Sequence, residues 1–257
     1  MKMTNFLRGI GVPLIAIVVF LVFWEWLVWV NGWPTYKMAA PSDLPAAFDQ
    51  YWSLFVTMSW QTLWRTVLGL LLAIVFGTLL GMIMGFSRLM RDALYPLLVG
   101  FNAVPKATVV PIVALMFVGQ HDFNTVLLAF MISFFPIAVS VSIGLSTLEP
   151  EYRDILRSLG ASQATIFWKI ALPKTLPEFF GALKVAVTLA FIGTNLMEIV
   201  SPHGRGLGAL FDSGRTNSDF PLMFAVLIAL AFLGIVLYYI VVALEKIFAG
   251  WAERAPG

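Results

Sequence analysis

The sequence predicts an all-α membrane protein of about six transmembrane helices with both termini in the cytoplasm, and three observations predict it. Apolar residues make up 60% of the 257 and charged residues only 12%, against about 25% charged in an ordinary soluble domain. A soluble core of this size has no room for that much apolar surface, so the excess faces lipid or partner subunits. The apolar residues run unbroken for about 20 positions at a time, the length a helix needs to cross a bilayer core. They do not alternate as the strands of a membrane barrel do.

Six such runs stand at 11–30, 62–86, 94–118, 125–148, 179–200 and 222–248. The first follows Lys2 and Arg8. It is longer than the apolar stretch of a signal peptide and precedes no small-residue cleavage site, so it reads as an uncleaved helix. The third is interrupted at Asn102-Ala103-Val104-Pro105, because Pro105 cannot complete a helical hydrogen bond. Residues 91–103 are therefore expected along the inner membrane surface, with the span proper starting near Val104 and Lys106 snorkelling at its end. Placing the N-terminus inside puts Lys2, Arg8, Arg88, Arg91, Arg153, Arg157, Lys169, Lys174, Lys246 and Arg254 in the cytoplasm. Only Lys37, Arg205 and Arg215 fall in outer loops, which include a long first one at 31–60 and a last one at 201–220 whose glycines suit tight turns. Ten against three is the cytoplasmic excess of basic residues that orients membrane proteins. The chain thus divides into a first helix with its outer loop (1–60), a helical domain (61–248) with a long cytoplasmic loop at 149–178, and a tail (249–257).

That cytoplasmic loop carries the most information. Tyr152, Ile155, Leu156 and Leu159 fall at helical spacing and form one apolar stripe, with Arg153, Asp154 and Arg157 off it. Gly160 sits where a glycine ends a helix. Ser162 suits the start of a second helix containing Ile166, Phe167 and Ile170, and Pro173 is expected to end it. Each helix is too short to cross a bilayer and offers a docking face, for lipid or for a protein.

The loop resembles the signature of binding-protein-dependent importer permeases: Glu-Ala-Ala, three residues, Gly, nine residues, Ile, one residue, Leu-Pro. Gly160, Ile170, Leu172 and Pro173 stand at those intervals, and Asp154, Ile155 and Leu156 occupy the Glu-Ala-Ala positions. Asp keeps the charge; Ile and Leu in place of alanine depart from the pattern. PSDLPAAF at 41–48, the glycine-rich second run, NAVPKATVVPIVALMFVG and Glu198 followed by GRGLG are similar to the nitrate, sulfonate and taurine branch of ABC importers. The resemblance implies a type I importer permease in the inner (cytoplasmic) membrane of a bacterium, moving a small polar or anionic solute of the nitrate, sulfonate or taurine kind, or else a thiamine-precursor pyrimidine, riboflavin or an aromatic acid. It implies a coupling loop (Asp154, Ile155, Leu156, Gly160, Ala161, Ile170, Leu172, Pro173) that docks on ATPase subunits. It also implies a second permease copy, a homodimer, two ATPases and a periplasmic or lipoprotein substrate-binding protein.

Other chemistries are excluded or left open by the residues. With no cysteine there is no thiolate site. No lysine follows a glycine, so the phosphate-cradling loop of an ATPase is missing. ATP and Mg²⁺ then belong to a partner, and this chain holds no cofactor or metal. No catalytic constellation appears, and a net charge of +2 does not suggest nucleic acid. An ion-driven transporter needs repeats and a mid-membrane ion site, and a channel needs a filter ring; neither is visible. Thr194, Asn195 and Glu198 form a polar cluster in the fifth run, readable as a lining of the translocation path or as an interhelical packing bond. Ser133 and Thr188 are weaker candidates of the same kind. Arg65 is expected to snorkel at the outer end of its span, with attraction of an anion as the other reading, Glu25 to sit in a belt of Trp24, Trp26 and Trp29, and His121 and His203 to be solvated loop residues. Gly69, Gly77, Gly81 and Gly85 permit close helix contact, within the subunit or against a second copy.

Overall fold

The computed structural model describes residues 2–146, 155–201 and 204–251, and every regular element among them is helical. The helices are α1 (Lys2–Asn31), α2 (Leu44–Gln50), α3 (Trp52–Phe86), α4 (Arg88–Ala103), α5 (Lys106–Met116) and α6 (His121–Ser146). They continue with α7 (Ala164–Val200), α8 (Leu207–Thr216) and α9 (Phe220–Phe248). α3, α6, α7 and α9 are each long and apolar enough to cross a membrane. The pair α4–α5 passes the same test together, across an 89° bend, and α1 contributes a shorter apolar stretch, Ile15–Asn31.

Local chemistry explains where these helices begin and break. The Ser87 hydroxyl accepts the Met90 N–H to start α4, and the Asp219 carboxylate accepts the Leu222 N–H to start α9. The bend between α4 and α5 falls at Val104 and Pro105, where the sequence places it. Val104 is extended, at φ −63° and ψ 127°, as a residue before proline prefers. Lys106 Nζ then donates to the carbonyls of Phe101 and Asn102 at 3.2 and 2.7 Å, satisfying the last turn of α4. α5 has 11 residues, roughly 16 Å of helix, so it is too short to cross a bilayer alone.

Three sequence expectations are corrected. α3 begins at Trp52, ten positions before the apolar run, so the segment taken as a long outer loop is partly helix. The glycine-rich stretch after Ser201 is not all turn, since Leu207–Thr216 is α8. Pro173 does not end a helix: α7 runs 37 residues from Ala164 through Pro173 to Val200, joining the second loop helix to the fifth span. The reason lies just upstream. Phe167–Ala171 is π-helical, with the Leu172 N–H reaching back to the Phe167 carbonyl. A proline lacks the N–H and crowds the carbonyl four residues back, and the widened turn before Pro173 takes up that conflict.

α6 is the central helix, with α3 and α7 packed along it. The contact is close because one face of α3 is glycine. A Cβ added at Gly69 would lie 2.5 Å from Ala129 Cβ, at Gly77 2.9 Å from the Phe134 carbonyl, and at Gly81 2.6 Å from the Ala138 carbonyl. From the other side, a Cβ on Gly193 of α7 would come within 3.0 Å of Ala129 Cα. The small-residue face of α3 is therefore used inside the subunit, where dispersion between close backbones replaces the missing hydrophobic drive. Away from that face, Val75 and Ile83 are exposed.

Charged groups complete the frame. Lys184 of α7 and Glu245 of α9 pair at 2.8 Å. Glu25 accepts the N–H and hydroxyl of Ser42 at 3.0 and 2.8 Å, so it fixes the turn Pro41–Asp43 against α1 as well as standing near the tryptophans. Tyr51 donates its hydroxyl to Asp219 at 3.0 Å, and that bond to a carboxylate raises the phenol pKa above its ordinary value.

Gly81→Val should destabilise the protein by about 1–3 kcal/mol or more, the usual cost of overpacking, because carbonyl and Val141 atoms already fill the site. Gly100→Ala, inside α4 where nothing lies within 4 Å, should instead raise stability by up to about 1 kcal/mol, the helix preference of Ala over Gly. Thermal unfolding of detergent-purified protein followed by size-exclusion chromatography checks both; equal melting of the two variants contradicts the packing account.

Candidate functional site

Two regions at opposite ends of the bundle hold the predicted residues. At one end is the loop before α7. Residues 155–158 are helical, and Gly160 follows at φ +82°. The Gly160 N–H bonds to the Arg157 carbonyl at 2.9 Å and the Ala161 N–H to the Leu156 carbonyl at 3.0 Å. This paired pattern is the Schellman helix end, whose left-handed residue favours glycine. Ser162 then starts α7, its hydroxyl accepting the Thr165 N–H at 3.1 Å. Asp154 and Tyr152 lie outside the described residues.

The described residues of the loop and of the start of α7, motif positions and their neighbours, separate into two groups. Ile155, Leu159 and Trp168 are 56%, 77% and 65% exposed, so large apolar side chains stand open on a loop. Ile170 turns inward and packs on the main core, and Leu172 lines a cavity with Phe167, Val141 and Leu145. Leu156, Ala161 and Pro173 are half-buried. The exposed group is a contact surface; the inward group anchors it to α3 and α6.

At the other end stands a buried ionic cluster. Arg65 of α3 is 2% exposed and Glu198 of α7 1%, so Arg65 does not snorkel. Arg65 Nη1 donates to Glu198 Oε1 at 3.1 Å and to the Arg205 carbonyl. Nε and Nη2 donate to Asp122 Oδ1 at 2.8 and 2.5 Å, and Nη2 also to Gln61 at 3.1 Å. All five guanidinium donors are engaged. Glu198 is equally satisfied. It accepts Thr62 Oγ1 at 2.8 Å and the Gly208 N–H at 3.1 Å, while Thr62 accepts the Leu207 N–H at 2.9 Å. The carboxylate therefore sits on the N-terminus of α8, where amide groups and the helix dipole favour negative charge.

This arrangement accounts for the glycines of GRGLG. Gly206 has φ +126°, and a Cβ there would overlap the Glu198 carboxylate. A Cβ on Gly208 would lie 2.8 Å from both Glu198 Cβ and the Asn195 carbonyl. The acid and the glycines are one unit.

The other candidates are only partly drawn in. Thr194 is buried and bonded to Thr66 at 3.0 Å beside the cluster. Asn195 Nδ2 bonds within its own helix to Phe191, and its Oδ1 has no partner. Ser133 is fully buried and bonds to the Ala129 carbonyl of its own helix. Thr188 is exposed and bonds to the Lys184 carbonyl. His121, expected in solvent, lies 2.7 Å from Ser201 Oγ and ties α6 to the end of α7; His203 lies outside the described residues. Sequence reading missed Asp122 and Thr62 as members of the cluster. Thr62 sits one helical turn before Arg65, a spacing that offered a signal, whereas Asp122 offered none.

Residues 73–250 match the family described as binding-protein-dependent transport system inner membrane component. The chain belongs to this family. The permease is 32% identical over 243 residues to the formylaminopyrimidine transport permease ThiX of Halalkalibacterium halodurans, covering 94% of this chain and 96% of that one. It is 30% identical over 252 residues to the riboflavin transport system permease RibX of Chloroflexus aurantiacus, covering 95% and 90%. The nitrate import permease NrtB of Synechocystis sp. and the taurine permease TauC of Escherichia coli are also similar. NrtB is 26% identical over 87% of this chain and 82% of its own length; for TauC the values are 27%, 75% and 70%. In fold, the permease matches a chain of the MetNI methionine ABC transporter with a TM-score of 0.64 at 19% identity, covering 77% of this chain and 97% of that one. It is thus a type I ABC importer permease of the inner membrane, a multi-pass transport subunit whose family works with ATPases and a binding protein.

Removing one partner of the buried pair leaves a bare charge, which costs about 3–5 kcal/mol. Arg65→Met should therefore lower the melting temperature strongly, and the double variant Arg65→Met with Glu198→Leu should recover part of the loss. A double variant no more stable than Arg65→Met would contradict the pairing.

Proposed function

We propose that this permease moves a small polar organic solute inward by alternating access, driven by ATP hydrolysis in separate subunits. Two copies, as a homodimer, enclose the path. Two ATPases dock on the Gly160 end, which the basic-residue bias assigns to the cytoplasm with both termini. A periplasmic or lipoprotein-anchored binding protein delivers solute at the Arg65 end. ATP and Mg²⁺ stay with the ATPases, and this chain contributes no catalytic residue, metal or cofactor.

The observation that carries this reading is the loop at 155–168. Large apolar side chains exposed on a short capped turn favour a partner with a matching groove. The turn is rigid, because the Gly160 cap and the Ser162 start pin it to α7, and α7 continues unbroken to Glu198. A push on the loop is thereby applied to a 37-residue lever. The coupling positions Asp154, Ile155, Leu156, Gly160, Ala161, Ile170, Leu172 and Pro173 are assigned to this task by their spacing. Thr188, exposed on α7, is retained as a path candidate, while the buried Ser133, Thr194 and Glu198 fit a fastening role.

Formylaminopyrimidine and riboflavin are named for the relatives that align over more than 90% of this chain, which supports an organic heterocycle as the solute. A nitrate-, sulfonate- or taurine-like anion is the second reading, supported by the NrtB and TauC likeness.

Gly160→Val forces a β-branched residue to φ +82°, a conformation costly for such side chains. ATP-driven uptake in proteoliposomes should fall at least tenfold while the protein still inserts in the membrane. Wild-type uptake in that variant, or uptake by the permease without any ATPase, would sink the proposal.

A further inference from the structure

α4 and α5 meet in an elbow at half the depth of the bundle. Leu98 of α4 packs with Ala138 of α6, and the Phe101 ring lies 5.7 Å from the ring of Phe134. Phe134 stands at the middle of α6, His121–Ser146. Past the elbow, Val110 and Val113 pack with Leu128 and Ile132, nearer the start of α6. The 89° break is therefore level with the middle of a membrane-crossing helix, and not at the inner surface where the run of apolar residues placed it.

At this level the chain leaves the break uncovered. Residues 101–105, 107 and 108 are all exposed. Val104 is extended, and α5 begins without a side-chain cap, so non-helical backbone lies open. Lipid satisfies no such groups; irregular backbone at membrane depth is tolerated only inside protein or against water. Lys106 adds a charge. Its Nζ is turned back onto the Phe101 and Asn102 carbonyls instead of reaching for a headgroup, so it does not snorkel. Ionisable groups at such depth face the interior of an assembly or a water-filled cavity. A dry seam with a second copy does not meet the need. A two-fold axis at the elbow brings up the same surface, hence a second Lys106, and residues 93–116 hold no Asp or Glu to neutralise the pair. Water between the copies hydrates both charges. Thr188, the exposed candidate on α7, is next in sequence to Leu189, which joins the apolar cluster of Val110 and Val113.

We propose that the elbow, residues 101–108, faces an aqueous translocation path at mid-membrane depth, and that Lys106 sets a positive potential there which favours solutes bearing anionic or carbonyl oxygen over cations. The inference rests on the importer reading above and adds to it the position of the path and its charge preference. A fixed charge beside a narrow aqueous passage raises the local concentration of opposite charge, so the potential is measurable with charged probes whatever the solute.

The test uses the complete transporter, permease with its ATPases and binding protein, in proteoliposomes. The chain has no cysteine, so a single introduced thiol reports its own surroundings. Asn102→Cys and Thr108→Cys probe the elbow. Val75→Cys is the lipid-facing control: it is exposed on α3 and level with the elbow, since Gly77 packs on Phe134 and Ile137. Two membrane-impermeant methanethiosulfonates, one bearing a sulfonate and one a trimethylammonium, are applied with and without ATP, and labelling is read from the mass of the permease. Copurification of the ATPases shows that each variant has assembled. Both elbow variants should label in at least one state, and the control in neither. With each rate divided by that for a free thiol in water, the sulfonate reagent should react about tenfold faster than the ammonium reagent. Lys106→Gln, added to either elbow variant, should abolish this preference, and Lys106→Arg should keep it. No labelling at either elbow position, or labelling no faster than at Val75→Cys, overturns the aqueous path. An unchanged preference in Lys106→Gln overturns the role of Lys106. Both results leave the importer reading standing; ATP-independent uptake by the unsubstituted transporter overturns that reading instead.

Discussion

The buried pair between Arg65 and Glu198 is the interaction on which the rest of the structure depends. It joins α3 to α7, and through Asp122, Leu207 and Gly208 it also holds the start of α6 and the N-terminus of α8. Two charges withdrawn from water at this depth are tolerable only when every donor and lone pair is met. Here that demand recruits backbone as well as side chain. Gly206 leaves the space that the Glu198 carboxylate occupies, and Gly204 and Gly208 leave room for the backbone carbonyl and Cβ of the same residue. A single ionic contact thus dictates the conformation of a loop ten residues away along the chain.

The opposite end of the bundle is built on a different principle. Among the described residues the Gly160 turn is held by backbone hydrogen bonds, and large apolar groups are left open around it. Between the two ends, α3, α6 and α7 are packed through glycine and alanine at near-backbone contact. Interfaces so close slide or part as units rather than deform gradually. A fastened end, a rigid middle and an open end are the elements a lever needs, and α7 runs through all three.

Much of this was legible in the sequence, and the failures have physical causes. Span positions follow from apolar run length, the break at Pro105 from the missing N–H, and the Gly160 and Ser162 turn from capping chemistry. The Arg65 environment was misjudged because snorkelling is the default for a lone arginine near a helix end; its partners lie 57 and 133 residues away, and no local pattern announces them. His121 failed for the same reason, since Ser201 is 80 positions distant. α8 was hidden by its glycines, which read as turn residues until the carboxylate they accommodate is seen. Pro173 failed through a local rule applied correctly: proline does disrupt a helix, and here the disruption is absorbed as a π turn instead of an ending.

That π turn at Phe167–Ala171 has a geometric consequence of its own. One additional residue per turn rotates everything before it by about 100° relative to an uninterrupted helix. The face that α7 shows at Trp168 and the face that it presses on α6 are therefore set separately, although they belong to one rod. Sequence change on the loop side can re-aim the contact surface toward a differently shaped partner without turning Gly193 or Glu198 away from their seats. The bulge works as an azimuthal adjuster between two halves of a single shaft.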